Sequence, residues 1–181
     1  ELVKRLVLVE AAVADLDLKP APDVELIKPW KWSEDLDPVL HPMPEAAAWR
    51  ATIDRLRGRR VSANLAFQPG THVYLLTPVD TESDRGGALV AWNETAPLDE
   101  AVVNIFLGED DVTVIDMWGN QSGTISPTRI DMGEGKGIDI HEIPISTEPV
   151  FIEGIDVNLA LFTSSIRLDE PMIESLSLIH I

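Results

Sequence analysis

The sequence predicts a mainly β fold, in which a small α/β segment precedes an antiparallel β-sandwich. After Arg60, short runs rich in Val, Ile, Leu and Thr recur about every dozen residues, separated by Gly, Asp, Asn or Pro. Apolar and polar residues alternate within these runs, as in Val112-Thr113-Val114 and Ile138-Asp139-Ile140, which is the period of half-buried strands. Regularly spaced short strands with turn residues between them are typical of sandwiches and barrels.

Two helices are expected before Arg60. Residues 2–16 are rich in Leu, Val and Ala, although their β-branched content leaves a strand open. Residues 44–56 begin with a proline, which suits a first helical turn, and end before Gly58, which suits a left-handed cap. No helix is expected after residue 60. The predicted strands there are 61–67, 72–77, 87–92, 101–107, 112–117, 124–130, 137–145, 149–153, 157–162 and 173–181.

Charge and composition exclude several classes of protein. The chain has 181 residues, no cysteine and a net charge of −17. That charge would repel nucleic acid and anionic membrane surfaces, so neither is expected as a partner. A chain without cysteine has no disulfide scaffold, thiol nucleophile or thiolate zinc site. No apolar run reaches the roughly 18 residues that would span a bilayer.

The charge is distributed in two unequal parts. Residues 1–60 carry a net charge of −1, whereas residues 61–181 carry −16. Such a step indicates two units of different character, with a boundary near Arg60. The chain begins at Glu1 rather than Met and ends inside an apolar run. We therefore expect a fragment that is cut at both ends.

Three motifs that suggest chemistry are interpreted as structural. In Gly133-Glu134-Gly135-Lys136-Gly137 the Lys is not followed by the Ser or Thr of a phosphate loop, so a hairpin tip is expected. His141-Glu142 begins like a zinc-protease helix, but Pro144 would break that helix and Ile145 replaces the second His. The run 109–111 could chelate calcium together with Asp116, but an exposed acidic turn is favoured. Neither a metal nor a cofactor is expected.

The tryptophans are the candidate binding residues. Trp30 and Trp32 follow the possible short strand 24–27, and an indole face suits the C–H-rich face of a sugar. Carboxylates at 34 and 35 could then bind sugar hydroxyls. The alternative is that a packed Trp anchors an irregular loop. Trp92 could also stack on a sugar, although a core position is favoured, and residues 116–120 are expected to form a tight turn held by Asp116.

Three stretches resemble the C-terminal end of a (β/α)8-barrel glycoside hydrolase and the β-sandwich accessory domain that follows it. Residues 42–61, from Pro42-Met43-Pro44-Glu45 to Arg60-Val61, resemble the last barrel helix and its link. Ala88-Leu89-Val90-Ala91-Trp92 resembles a strand that often ends in Trp. Residues 112–120, which contain a V-x-D-x-x-G turn, resemble with residues 143–152 a recurring strand pair of these accessory domains.

The resemblance implies three units and a function. Residues 1–58 would be the remnant of a catalytic barrel, 59–155 the accessory sandwich, and 156–181 the truncated start of a further β module. The parent would be a polysaccharide-degrading enzyme, secreted or in a bacterial cell envelope. Its pair of catalytic carboxylates would precede Glu1, so the fragment would be inactive alone.

The resemblance also implies partners and leaves two alternatives. Carbohydrate would be bound through the parent enzyme, the barrel and sandwich would contact each other, and Trp30 and Trp32 would lie at the end of a barrel strand. One alternative is a non-catalytic carbohydrate-binding module that uses Trp92 or Trp118. The other is a structural β module of a surface protein, which further β repeats upstream would indicate.

Overall fold

The computed structural model describes residues 1–16, 30–32, 40–42, 45–65, 67, 69–80, 85–95, 101–133 and 136–165. The helices are α1 (Leu2–Asp15), α2 (Glu45–Leu56) and α3 (Val157–Ser165). The strands are β1 (Trp30–Trp32), β2 (Leu40–Pro42), β3 (Arg59–Asn64), β4 (Thr71–Pro78), β5 (Gly87–Asn93), β6 (Ala101–Ile105), β7 (Val112–Ile115), β8 (Gln121–Ile125), β9 (Thr128–Gly133), β10 (Lys136–Ile145) and β11 (Val150–Ile155).

The strands form antiparallel sheets, which confirms the prediction of a mainly β protein. The largest sheet has six strands in the order β3-β4-β5-β11-β7-β8. A second sheet has the order β6-β10-β9, and β1 pairs with β2. β5 lies inside the six-stranded sheet, and each of its residues is buried, as expected for a strand that is covered on both faces. No helix in the described part of the chain is long and apolar enough to cross a membrane.

Helices α1 and α2 pack on one face of the six-stranded sheet. Val7 of α1 is 0% exposed and belongs to the same apolar cluster as Val90 of β5 and Phe151 of β11. Burying one such side chain contributes about 1.5–3 kcal/mol. α2 adds Ala48 and Leu56 to this cluster. Residues on both sides of the predicted boundary between 58 and 59 therefore share one core.

The opposite face of the six-stranded sheet packs against the three-stranded sheet. In β6 the residues at 101, 103 and 105 are buried and those at 102 and 104 are exposed, which is the period-2 pattern predicted from the sequence. Because β10 pairs with β6, its inward residues complete the same layer. The cluster between the sheets includes Leu75, Leu89, Ile152, Val103, Ile105, Ile143 and Ile145.

The strand predicted over 157–162 is wrong, because α3 occupies this position. A carboxylate oxygen of Asp156 accepts hydrogen bonds from the amide of Asn158 at 2.8 Å and from the amide of Leu159 at 3.2 Å. Such a cap satisfies the free amides of a first helical turn. Ala160 of this helix is buried and packs in the apolar cluster between the two sheets. The expectation that no helix follows residue 60 is therefore also wrong.

Two further predictions differ from the structure or lie outside it. The single strand predicted over 124–130 consists of two strands, β8 and β9, with Pro127 between them. Proline cannot donate a hydrogen bond to a sheet, which accounts for the break. The strands predicted at 24–27 and 173–181 lie outside the described residues.

Candidate functional site

Trp30 and Trp32, the predicted sugar contacts, lie on the short strand β1. The backbone of Trp30 is opposite Pro42 and that of Trp32 is opposite Leu40, in an antiparallel pair with β2. Their side chains, and residues 34 and 35 as a whole, are outside the described part of the chain. The role of both tryptophans in sugar binding stays a prediction.

Trp92 is a core residue. Its side chain is 1% exposed, and its ring stacks on those of His72 and Tyr74 with centroid distances of 4.9 Å and 5.5 Å. The ammonium group of Lys4 on α1 lies 6.0 Å from the centre of the indole. Because α1 covers it, Trp92 cannot offer its face to an external sugar, and the core interpretation is confirmed.

Trp118 is exposed in a turn that Asp116 holds. One carboxylate oxygen of Asp116 accepts hydrogen bonds from the amides of Trp118 at 2.9 Å and Asn120 at 2.8 Å. The other oxygen accepts one from the side-chain amide of Asn120 at 3.0 Å. The predicted turn is confirmed, and it presents Trp118, which is 41% exposed. Gly119 completes the turn with a φ of 94°, a conformation that favours glycine.

The pKa of Asp116 reports this arrangement. Partial burial acts to raise the pKa of the carboxyl, but the hydrogen bonds from Asn120, Trp118 and Gly119 outweigh it and lower the pKa below its ordinary value. Donors that point at a carboxylate stabilise its charged form. Asp116 is therefore an ionised structural group and not a proton donor.

A groove of about 350 Å³ opens beside the Asp116 turn. One side of the groove is formed by strands β7 and β8, at the edge of the six-stranded sheet. The other side is formed by the end of β10, which belongs to the three-stranded sheet. Four polar residues line it, namely Asp116, Ser122, Ser146 and Glu148. The remaining walls are Val114, Met117, Gly123, Ile125, Pro144, Ile145, Pro149 and Val150. Sequence analysis missed this groove because its walls come from strands of different sheets.

A second, more polar cavity of about 470 Å³ lies near the acidic run at 109–111. Glu109, Asp110 and Asp156 line it together with Leu107, Gly108, Gly154, Ile155 and Leu159. In the ranges that the structure describes, no group of three or more His or acidic residues is arranged to hold a metal ion. His141 is fully buried nearby, and its Nε2 lies 2.9 Å from the carbonyl oxygen of Asp110. It is a core residue there.

Two arginines, Arg55 of α2 and Arg59 of β3, lie beside Glu153 of β11 and connect α2 to the six-stranded sheet. The side chain of Arg59 is 7% exposed and donates hydrogen bonds to the carbonyl of Gly86 at 2.8 Å and that of Arg55 at 3.1 Å. It also lies 3.4 Å from a carboxylate oxygen of Glu153. Burial lowers the pKa of Arg59, and the charge of Glu153 partly opposes this shift. The cluster is therefore a structural connection between α2, β5 and β11.

Comparisons with known proteins do not single out any of these surfaces. No protein-family model, curated protein or solved structure matches the chain. The candidate sites are therefore distinguished by their geometry, namely the exposed indole of Trp118 and the groove beside it.

Proposed function

We propose that the chain is a non-catalytic part of a polysaccharide-degrading glycoside hydrolase, secreted or in the cell envelope. In this proposal it comprises the end of the catalytic barrel, residues 1–58, an accessory β-sandwich, residues 59–155, and the start of a further module, residues 156–181. The sandwich would hold the barrel end through the face of the six-stranded sheet on which α1 and α2 pack. Carbohydrate would be bound by the parent enzyme.

The observation that carries this proposal is the apolar cluster beneath α1 and α2. An accessory sandwich that stabilises a barrel must bury the apolar side of the barrel's outer helices, and α2 is the helix that resembles the last one. Val7, Val90 and Phe151 form such an interface, each with an exposure of 0%. Arg59 adds polar contacts between α2 and the sheet, which fits an interface that has to keep one geometry.

The role of this chain in hydrolysis would then be indirect. Glycosidases need one carboxyl group as acid and a second as nucleophile or base, and the barrel strands that would carry both would precede Glu1. Trp30 and Trp32 would contribute a sugar contact at the rim of the barrel. The elements after them would keep that rim in place.

A comparison of the chain with the full-length product of its gene tests this proposal. Both proteins are assayed for release of reducing sugar from a panel of purified plant and microbial polysaccharides. We expect hydrolysis by the full-length protein and none by the 181-residue chain. Hydrolysis by the chain alone, or no hydrolysis of any glycan by the full-length protein, would contradict the proposal.

Variants of the full-length protein separate the roles of the tryptophans. We expect W30A and W32A to raise the KM for the polysaccharide and to leave the unfolding transition in place, because a rim contact contributes to binding. The control is Val79→Ala, which removes an exposed apolar side chain that lines neither cavity and should leave the KM unchanged. An unchanged KM in both rim variants would remove Trp30 and Trp32 from the site.

A second candidate function is carbohydrate binding by Trp118. Trp118 is 41% exposed, and Asp116 fixes the turn that presents it, so stacking of its indole on a sugar would need little ordering. Affinity electrophoresis of the chain in gels that contain soluble glycans tests this candidate. Retardation that is lost in W118A, with an unchanged unfolding midpoint, is the expected result, and equal migration with and without glycan would exclude it.

A further inference from the structure

The outer side of β8 is unpaired within the part of the chain that the structure describes. β8 is the last strand of the six-stranded sheet and pairs with β7 alone. Proteins usually protect such edges with charged residues or proline. The opposite edge strand, β3, carries Arg59 and Arg60, whereas β8, Gln121–Ile125, has neither a charged residue nor a proline. β8 therefore leaves backbone donors and acceptors open to pairing.

The groove beside the Asp116 turn adjoins this edge. Ser122, Gly123 and Ile125 of β8 line one wall, and Pro144 and Ile145 of β10 line the other. Successive side chains of a strand point to opposite faces of its sheet. Every second side chain of a strand added along β8 would therefore face the groove.

The walls of the groove indicate which side chains would fit. The apolar lining consists of aliphatic residues, Met117 and prolines, and no aromatic ring is among the described residues that line it. Stacking on a sugar would use an aromatic platform, which this groove lacks. Branched aliphatic side chains can fill such a surface by close packing. The groove therefore favours an extended peptide over a glycan.

The charge of the groove indicates the flanking residues of that peptide. Asp116 and Glu148 line it, and no Lys, Arg or His is among the described lining residues. Residues 61–181 also carry a net charge of −16, which would repel an acidic segment and steer a basic one towards this face. Charge complementarity therefore selects a basic partner.

We propose that β8 and the adjoining groove bind an extended basic peptide segment of a partner protein as an added strand. The backbone of the segment pairs with the free edge of β8. Its aliphatic side chains enter the groove, and the Lys or Arg side chains that flank them lie near Glu148 and Asp116. This proposal does not depend on the proposed function, because none of the residues that line the groove belongs to β1 or β2.

Fluorescence anisotropy with model peptides tests the proposal on the full 181-residue chain. The probe is a labelled peptide in which valine and threonine alternate and lysines flank this segment at both ends, so that the valines can face the groove while the lysines lie beyond them. Two control peptides have glutamate in place of lysine, or N-methylated valines that cannot donate backbone hydrogen bonds. We expect saturable binding of the lysine peptide and none of either control. No saturable binding, or equal binding of a control peptide, would overturn the proposal.

Charge-reversal variants locate the binding. We expect Glu148→Lys to weaken binding of the lysine peptide by about three- to tenfold, as an exposed ion pair is exchanged for repulsion. Glu142→Lys is the matched control, because Glu142 is exposed on β10 and does not line the groove. Equal weakening by both variants would assign the binding to overall charge. Competition by oligosaccharides, or self-association of the chain that E148K abolishes, would assign the groove to a glycan or to a second copy.

Discussion

At the scale of single residues, Trp92 and Trp118 have opposite environments, the first buried and the second exposed. Trp92 ends the predicted strand 87–92, Trp118 directly follows the predicted strand 112–117, and each could present an indole to a ligand. The difference arises from the neighbouring elements. Helix α1 covers Trp92, whereas Trp118 lies in the turn that follows β7 and is exposed. The sequence favoured a core position for Trp92 and a turn at 116–120, but it did not identify α1 as the element that covers Trp92.

Replacement of these two tryptophans should have very different effects on stability. We expect Trp92→Ala to lower the free energy of unfolding by about 3–5 kcal/mol, because it empties a filled site in the core. Trp118→Ala should change it by less than about 0.5 kcal/mol, as is usual for exposed residues. Urea unfolding followed by far-UV circular dichroism measures both. Similar losses for the two variants would contradict the assigned burial.

Asp116 gives a pH-dependent prediction. Asp116→Ala should lower the free energy of unfolding by about 1 kcal/mol at neutral pH, because the amides of Trp118 and Asn120 lose their acceptor. The pKa of this carboxyl is lowered in the folded state, so its contribution is present above the unfolded value of about 3.9 and is lost as the pH falls through the folded value. The stability difference between the two proteins should therefore disappear in acid.

The control for Asp116 is Asp111→Ala, which removes an exposed carboxylate just before β7. Unfolding of all three proteins is measured in urea from pH 7 down to pH 2. A difference between wild type and Asp116→Ala that stays constant down to the lowest pH would show that the charge of Asp116 has no part in the turn.

At the scale of elements, α3 shows how a local cap can override a strand-like pattern. The sequence 157–162 is a short apolar run after a series of strands, and its length cannot distinguish a strand from a buried helix. Asp156 provides the deciding interaction, because its side chain accepts from two amides of the first turn. An Asp directly before an apolar run is a signal of a helix start, whereas the series of strands before it favours another strand.

Removal of this cap should destabilise α3. We expect Asp156→Ala to lower the free energy of unfolding by about 1 kcal/mol and to reduce helical circular dichroism. Asn158→Ala is the control, since Asn158 is exposed within the first turn and alanine is the better helix former there. The assignment of Asp156 as the cap is wrong if the two substitutions are equally tolerated.

The guanidinium group of Arg59 is one of the contacts that connect α2 to the sheet. We expect Arg59→Met to lower the free energy of unfolding by about 2–4 kcal/mol, because carbonyls and the Glu153 carboxylate lose a buried charged donor. Arg60→Met is a matched control on the same strand, where the side chain is exposed. Thermal or urea unfolding of both variants measures the effect. A loss for Arg60→Met as large as that for Arg59→Met would contradict a specific role for Arg59.

At the scale of the whole molecule, the local features were predictable and their spatial combination was not. Alternation of apolar residues identified β7 and β10, and a proline and a glycine identified the ends of α2. The packing of α1 and α2 on the sheet could not be predicted from such local patterns. Val7 and Val90 are far apart in sequence, and no local signal indicates that they belong to one core. The groove was missed for the same reason, since β8 and β10 belong to different sheets.

The shared core of α1 and the six-stranded sheet is the central structural claim, and native-state hydrogen exchange measured by NMR tests it most directly. The variant is Val7→Ala, with Leu8→Ala as the exposed control on the same helix. We predict that Val7→Ala lowers the free energy of opening of the Leu75 and Leu89 amides by roughly 2 kcal/mol, and that of the α1 amides by the same amount. A decrease confined to the amides of α1 would contradict the claim.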